Sequence, residues 1–153
     1  MKIKNLVLCG LVFCMIFCLT ACGGKKAITT SEFTSICEGE NLIVQDVTDQ
    51  YAEFDYIKEG TAAVGDSYQI EFYVLEDEDS AKGMFASNKE KFESAKDSTS
   101  SEKSISTNHS DVYSLSTSGM YKYLSRVDNT LLYADNMKNS KDDVKKLVDK
   151  LGY

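Results

Sequence analysis

The stretch that most constrains this fold is residues 68–74, Tyr-Gln-Ile-Glu-Phe-Tyr-Val. Tyr68, Ile70, Phe72 and Val74 fall at every second position, so an extended chain places them on one face, and burying that face requires a sheet. Leu42–Val44, 56–64, 112–117, 120–127 and 130–134 read as further strands, with a turn at Gly65-Asp66 after the second. Asp128-Asn129 predicts a tight hairpin, because both side chains tolerate positive φ. Three segments have helical spacing instead. Thr29-Thr30-Ser31-Glu32 fits a capping box opening a short helix that turns Phe33, Ile36 and Cys37 inward and ends at Gly39. Residues 77–92 place Ala81, Met84, Phe85 and Phe92 on one face, with acidic residues at the positive N-terminal end. Ser140 opens a last helix carrying Val144, Leu147, Val148 and Leu151, closed by Gly152. Residues 94–110 hold nine Ser or Thr in seventeen and are expected as an exposed loop.

The order is therefore α-βββ-α-βββ-α. The expected class is α+β, an antiparallel sheet of about six strands with helices packed on one face. The two βββα blocks raise an internal duplication that residue identity does not carry.

The first twenty-one residues differ in kind from the rest. Lys2 and Lys4 are their only charges, and residues 6–19 form a nearly all-apolar run of fourteen. A positive start, a short apolar middle and a small-residue end make a secretory signal; a stable bilayer span needs roughly 20 apolar residues. At the end of that run stand Leu19, Thr20, Ala21 and Cys22. Here the chain resembles the bacterial lipoprotein class, whose lipobox is Leu, a variable residue, Ala or Gly, then Cys. Beyond residue 22 it resembles only in style the small lipoproteins of low-GC Gram-positive bacteria.

The resemblance implies cleavage between Ala21 and Cys22 and a diacylglycerol thioether on Cys22. It also implies a lipid-anchored place on the cell membrane facing outward, or on the outer membrane in a Gram-negative source, since no Asp follows Cys22. The expected organisation is a signal peptide over 1–21, a lipidated tether over 22–28 and a single domain over 29–153. Cys9, Cys14 and Cys18 would leave with the signal, so Cys37 has no partner and is expected as a buried small hydrophobe.

Taking residues 1–21 from 153 leaves 132, one ordinary domain, and losing Lys2 and Lys4 moves the net charge from −7 to −9. Such a domain is a poor nucleic-acid partner. It also repels anionic lipid, which assigns membrane attachment to the acyl chains, with Lys25 and Lys26 read as ordinary tether residues.

No catalytic constellation is visible. His109, the single histidine, sits in Asn108-His109-Ser110-Asp111, and adjacency in sequence does not make a triad. Glu76–Asp79 lacks the glycine and the later bidentate Glu of a calcium loop. No phosphate loop, HExxH or GxSxG occurs. No metal and no cofactor are expected.

The expected function is a non-enzymatic binding or interaction module, with an envelope protein, peptide or glycan as partner. The alternative is a carboxylate-dependent hydrolase of envelope polymers using residues such as Glu71 or Asp55. The candidate binding face is the last hairpin, where Lys122, Leu124, Arg126, Leu131 and Tyr133 share a side and would form open sheet if helices cover the other.

Overall fold

The computed structural model describes residues 25–153. The signal peptide, the lipobox and Cys22 lie outside the described residues. The described chain forms one antiparallel sheet of seven strands. These are β1 (Ile43–Asp46), β2 (Ile57–Val64), β3 (Gln69–Leu75), β4 (Ser101–Ser106), β5 (Ser110–Ser116), β6 (Met120–Val127) and β7 (Thr130–Met137). Their spatial order is β1-β2-β3-β7-β6-β5-β4. Two meanders are thus fused through their last strands, with Phe72 opposite Leu132 and Tyr73 opposite Leu131. Three helices complete the fold: α1 (Thr30–Gly39), α2 (Glu78–Glu93) and α3 (Lys141–Leu151). A 3₁₀ turn, Thr48–Tyr51, follows β1. Among the described residues no helix is long and apolar enough to cross a membrane.

The mixed class with an antiparallel sheet agrees with the sequence reading; three details differ. The first is strand number. Within the expected Ser/Thr-rich loop, Ser101–Ser106 pairs with β5 along its whole length, from Ser101 opposite Ser116 to Ser106 opposite Asp111. Every residue of β4 is exposed, so no buried face marked it. Backbone pairing holds this edge strand, and its charged, polar side chains discourage further strand addition.

The second difference is helix placement. Helices cover both faces. Phe33 and Cys37 of α1, with Val144, Leu147, Val148 and Leu151 of α3, pack against Ile70, Phe72, Tyr123 and Leu132. Phe33 stacks on Phe72 with ring centroids 5.1 Å apart, and Tyr153 meets the same ring edge-on. On the opposite face Ala81, Phe85 and Phe92 of α2 pack against Tyr73, Leu115, Leu124 and Leu131. The cause is visible in β3 and β6. Alternate residues serve opposite cores, Phe72 and Tyr73 on the two sides of β3, Tyr123 and Leu124 on those of β6, so each strand has two apolar faces to cover.

The third difference lies at the ends of α1. Thr29 and Glu32 form the expected capping box, but the chain leaves the helix through Asn41 at φ 63° rather than through Gly39. Just upstream, Ala27 and Ile28 of the expected tether pack against the first core. At the other terminus Gly152 adopts φ 78° and closes α3 as expected. Ser140 makes no cap bond; its hydroxyl donates to the Ser67 carbonyl. At the β6–β7 turn only Asp128 takes positive φ (49°), and the expected register holds, with Val127 opposite Thr130 and Arg126 opposite Leu131.

Candidate functional site

Lys122, Leu124, Arg126, Leu131 and Tyr133 do share one sheet face, but it is the face that α2 covers. Leu124 and Leu131 are fully buried, and Arg126 is 1 % exposed. Arg126 Nε donates to Asp111 Oδ2 at 2.6 Å, and its Nη1 reaches Glu78 Oε1 at 3.2 Å and the Asp128 carbonyl at 3.0 Å. Lys122 pairs with Asp135 and lies 4.9 Å from the centre of the Phe92 ring. These cations pin α2 and the hairpin to the sheet. The expected open face is therefore closed, because the apolar side of α2 needed a second sheet face to bury.

Beside α2, however, the same face leaves a groove of about 740 Å³. One wall is aromatic: Tyr51 ends the 3₁₀ turn, and Phe54 and Tyr56 lie in the loop leading to β2. Glu71, Tyr73 and Tyr133 form the floor. The other wall is α2, where Ser80, Gly83, Met84, Ser87, Asn88 and Lys91 recur at helical spacing. Phe54 and Tyr56 are more than a third exposed, unusual for large rings.

The floor is electrostatically organised. The Tyr73 hydroxyl lies 2.6 Å from Glu71 Oε2 and 2.7 Å from the Tyr51 hydroxyl. With one proton to give, Tyr73 donates to the carboxylate and accepts from Tyr51. Gln69 Nε2 donates to the other carboxylate oxygen at 2.7 Å. Burial first, and then the bond to Glu71, push the Tyr73 phenol far above its ordinary pKa. Burial, reinforced by the charges of Asp135 and Glu71, pushes Tyr133 up to about 12. Both phenols thus remain protonated, and Glu71 presents fixed acceptor oxygens among aromatic rings. Asp55 does not line this groove, and Glu71 is its one carboxylate among the described residues.

A second groove, of about 1270 Å³, opens on the other sheet face. There α1 packs on β1, β2 and β3 while α3 packs on β7, and the groove runs along the inner sides of β4 and β5. Lys103 and Ile105 of β4, Ser114 and Ser116 of β5, and Tyr121 and Tyr123 of β6 make the floor. Lys141, Lys145 and Asp149 of α3 form a wall, and Lys25 and Lys26 lie along the rim. Burial and the charge of Lys103 lower the pKa of Lys25, and Asp149 partly offsets them. His109, 76 % exposed, sits at one end with its Nδ1 3.7 Å from Asp128.

The remaining expected residues are structural. Cys37 is buried beneath α1, and burial pushes its thiol up to about 12. Asp77 caps α2 by accepting from the Ser80 amide at 2.7 Å. Among the described residues no three His, Cys, Asp or Glu side chains gather as metal ligands.

No family model and no curated protein matches this chain. Among solved structures, a GTP-binding regulator from Thermotoga maritima superposes with a TM-score of 0.51 at 12 % identity, over 82 % of this chain and 87 % of that one. Likeness at that identity is likeness of fold alone. Sequence reading missed Tyr51, Phe54 and Tyr56 as site residues: the first two belong to no periodic segment, and Tyr56 reads as the start of the second strand, which begins at Ile57. Gly83, a glycine inside a helical run, was the one visible sign of the aromatic groove.

Proposed function

We propose that this chain is a lipid-anchored binding module of the cell envelope. In this reading Ala21–Cys22 is cleaved, Cys22 carries diacylglycerol, and the domain faces outward from the cell membrane. The α2 groove takes a carbohydrate. Aromatic rings stack on the apolar C–H face of a sugar, and the Glu71 carboxylate and the Tyr, Ser and Asn groups of the groove answer its hydroxyls.

The observation that carries this reading is Gly83. A glycine inside a helix costs roughly 0.5–1 kcal/mol relative to alanine. Packing does not require it, since an added Cβ would meet nothing within 4 Å. The open space beside it is the groove itself. A residue that weakens the helix without serving the core is accounted for by a ligand that needs the room. The hydrolase alternative gains Glu71 in a groove, but a two-carboxylate mechanism has no second acid among the described lining residues.

The test is an array of bacterial surface glycans, N-acetylglucosamine oligosaccharides included, probed with the lipidated chain in detergent. Retention on at least one glycan, weakened by Gly83→Ala and lost by Gly83→Gln while neither variant melts below the unsubstituted chain, supports the reading. Retention on none, or retention indifferent to both Gly83→Gln and Tyr56→Ala, overturns it.

A further inference from the structure

The groove on the α3 side presents a charge pattern opposite to that of the molecule. In a domain of net charge −9 after loss of the signal, Lys25, Lys26, Lys103, Lys141 and Lys145 all line one concavity. Its lining carboxylates are Glu102, Asp128 and Asp149. Most lysines elsewhere are matched, among them Lys58 with Glu76, Lys82 with Glu78, Lys96 with Glu102 and Lys150 with Glu40; among the described residues Lys91 and Lys138 stand alone on other surfaces. Among the described residues, none of the five groove lysines has a carboxylate within 4.0 Å. Five lysines against three carboxylates leave the groove with an excess of positive charge, and an anion there relieves the repulsion among the lysines. The floor adds hydroxyls of Ser114, Ser116 and Tyr121 and the apolar side chain of Ile105, which is 45 % exposed.

Position selects the anion. Lys25 is three residues from Cys22, and three extended residues reach roughly 10 Å. A diacylglycerol on Cys22 would bring the rim of this groove to the headgroup layer.

We propose that the lysine groove seats the phosphate of anionic phospholipid headgroups in the membrane to which the chain is tethered. The domain is then oriented with its α3 side on the bilayer and the aromatic groove, on the other sheet face, directed into the envelope. The proposal rests on the lipid-anchored reading. It revises the expectation that Lys25 and Lys26 are mere tether residues: the domain as a whole repels anionic lipid, but this face attracts it.

The experiment is lysine acetylation of the lipidated full chain in two vesicle preparations, phosphatidylcholine alone and an equal mixture with phosphatidylglycerol, read by peptide mass spectrometry. Lys103 and Lys145 are expected to be protected roughly fivefold in the anionic vesicles, the equivalent of about 1 kcal/mol per lysine at an anionic surface. Lys82 and Lys89, on α2, should label equally in both. Exchanging Lys103→Gln together with Lys145→Gln, both exposed positions, should remove the protection of Lys141. Equal labelling of the groove lysines in both preparations overturns the proposal. Protection in phosphatidylcholine vesicles given only inorganic phosphate also overturns it, by assigning the groove to a soluble anion. Failure of the anchoring reading would show separately, as absence of diacylglycerol mass on Cys22.

Discussion

Arg126, the single arginine, is the residue whose structural role is best defined. A fully buried guanidinium holds Asp111, Glu78 and the Asp128 carbonyl, joining β5, α2 and the hairpin turn. Removing one partner of a buried ion pair leaves the other uncompensated, at about 3–5 kcal/mol. Arg126→Ala is expected to lower unfolding free energy by about 3 kcal/mol in a denaturant titration; a loss within the scatter of surface substitutions would contradict this role. Cys37 makes a different statement. Its thiol pKa is raised to about 12, so burial of the neutral thiol adds stability that is complete below the unfolded value of ~8.5. That stability is lost as pH rises toward about 12, and Tyr133, raised by burial to a similar value, adds a loss in the upper part of the same window. Unfolding measured across alkaline pH should show this decline, and Cys37 should resist alkylation at neutral pH until the protein unfolds. Rapid alkylation of the native protein would mean that α1 does not seal the thiol.

At the scale of elements, the ends of helices and the sheet edge decide what can loosen. The capping box at Thr29 satisfies amides at both ends of the first turn of α1, so Thr29→Ala should cost about 1 kcal/mol, read as a shift in denaturant midpoint at unchanged slope. Asp97 braces the turn that leads into the edge strand β4. One of its carboxylate oxygens accepts from the Ser118 amide at 2.9 Å and the other from the Thr99 amide at 2.8 Å, tying the turn after α2 to the β5–β6 hairpin. The bonds from Ser118, and then those from Thr99, hold its carboxyl well below the usual carboxylate range. Its contribution is therefore present above the unfolded value of ~3.9 and lost as pH falls through the folded one. Asp97→Ala should speed hydrogen exchange across residues 97–106 while leaving β6 protected; unchanged exchange in β4 would show that pairing with β5 suffices. Elements with their own periodicity were legible: β3 from its alternation, α3 from four apolar residues on one side, the β6–β7 register from Asp128-Asn129. Those defined by something outside themselves were not. Nothing within Ser101–Ser106 says that β5 will pair with it, and nothing in the hairpin says that α2 will cross it. The same cause hid the grooves, whose walls come from segments far apart in the chain.

The whole molecule is a sheet with a different surface on each side. One carries lysines next to the segment that would be tethered, the other an aromatic groove over Glu71. In the proposed orientation these sides have separate tasks, attachment to the bilayer and display of a ligand site to the envelope. That arrangement begins at Cys22. The most direct test is the mass of the N-terminal peptide from the mature protein, purified from the membranes of bacteria expressing the full chain. The expected peptide begins at Cys22 and carries the diacylglycerol thioether, with Cys22→Ala abolishing both processing and membrane retention. A peptide that runs unbroken from Leu19 through Cys22 with a free thiol would contradict the lipid anchor.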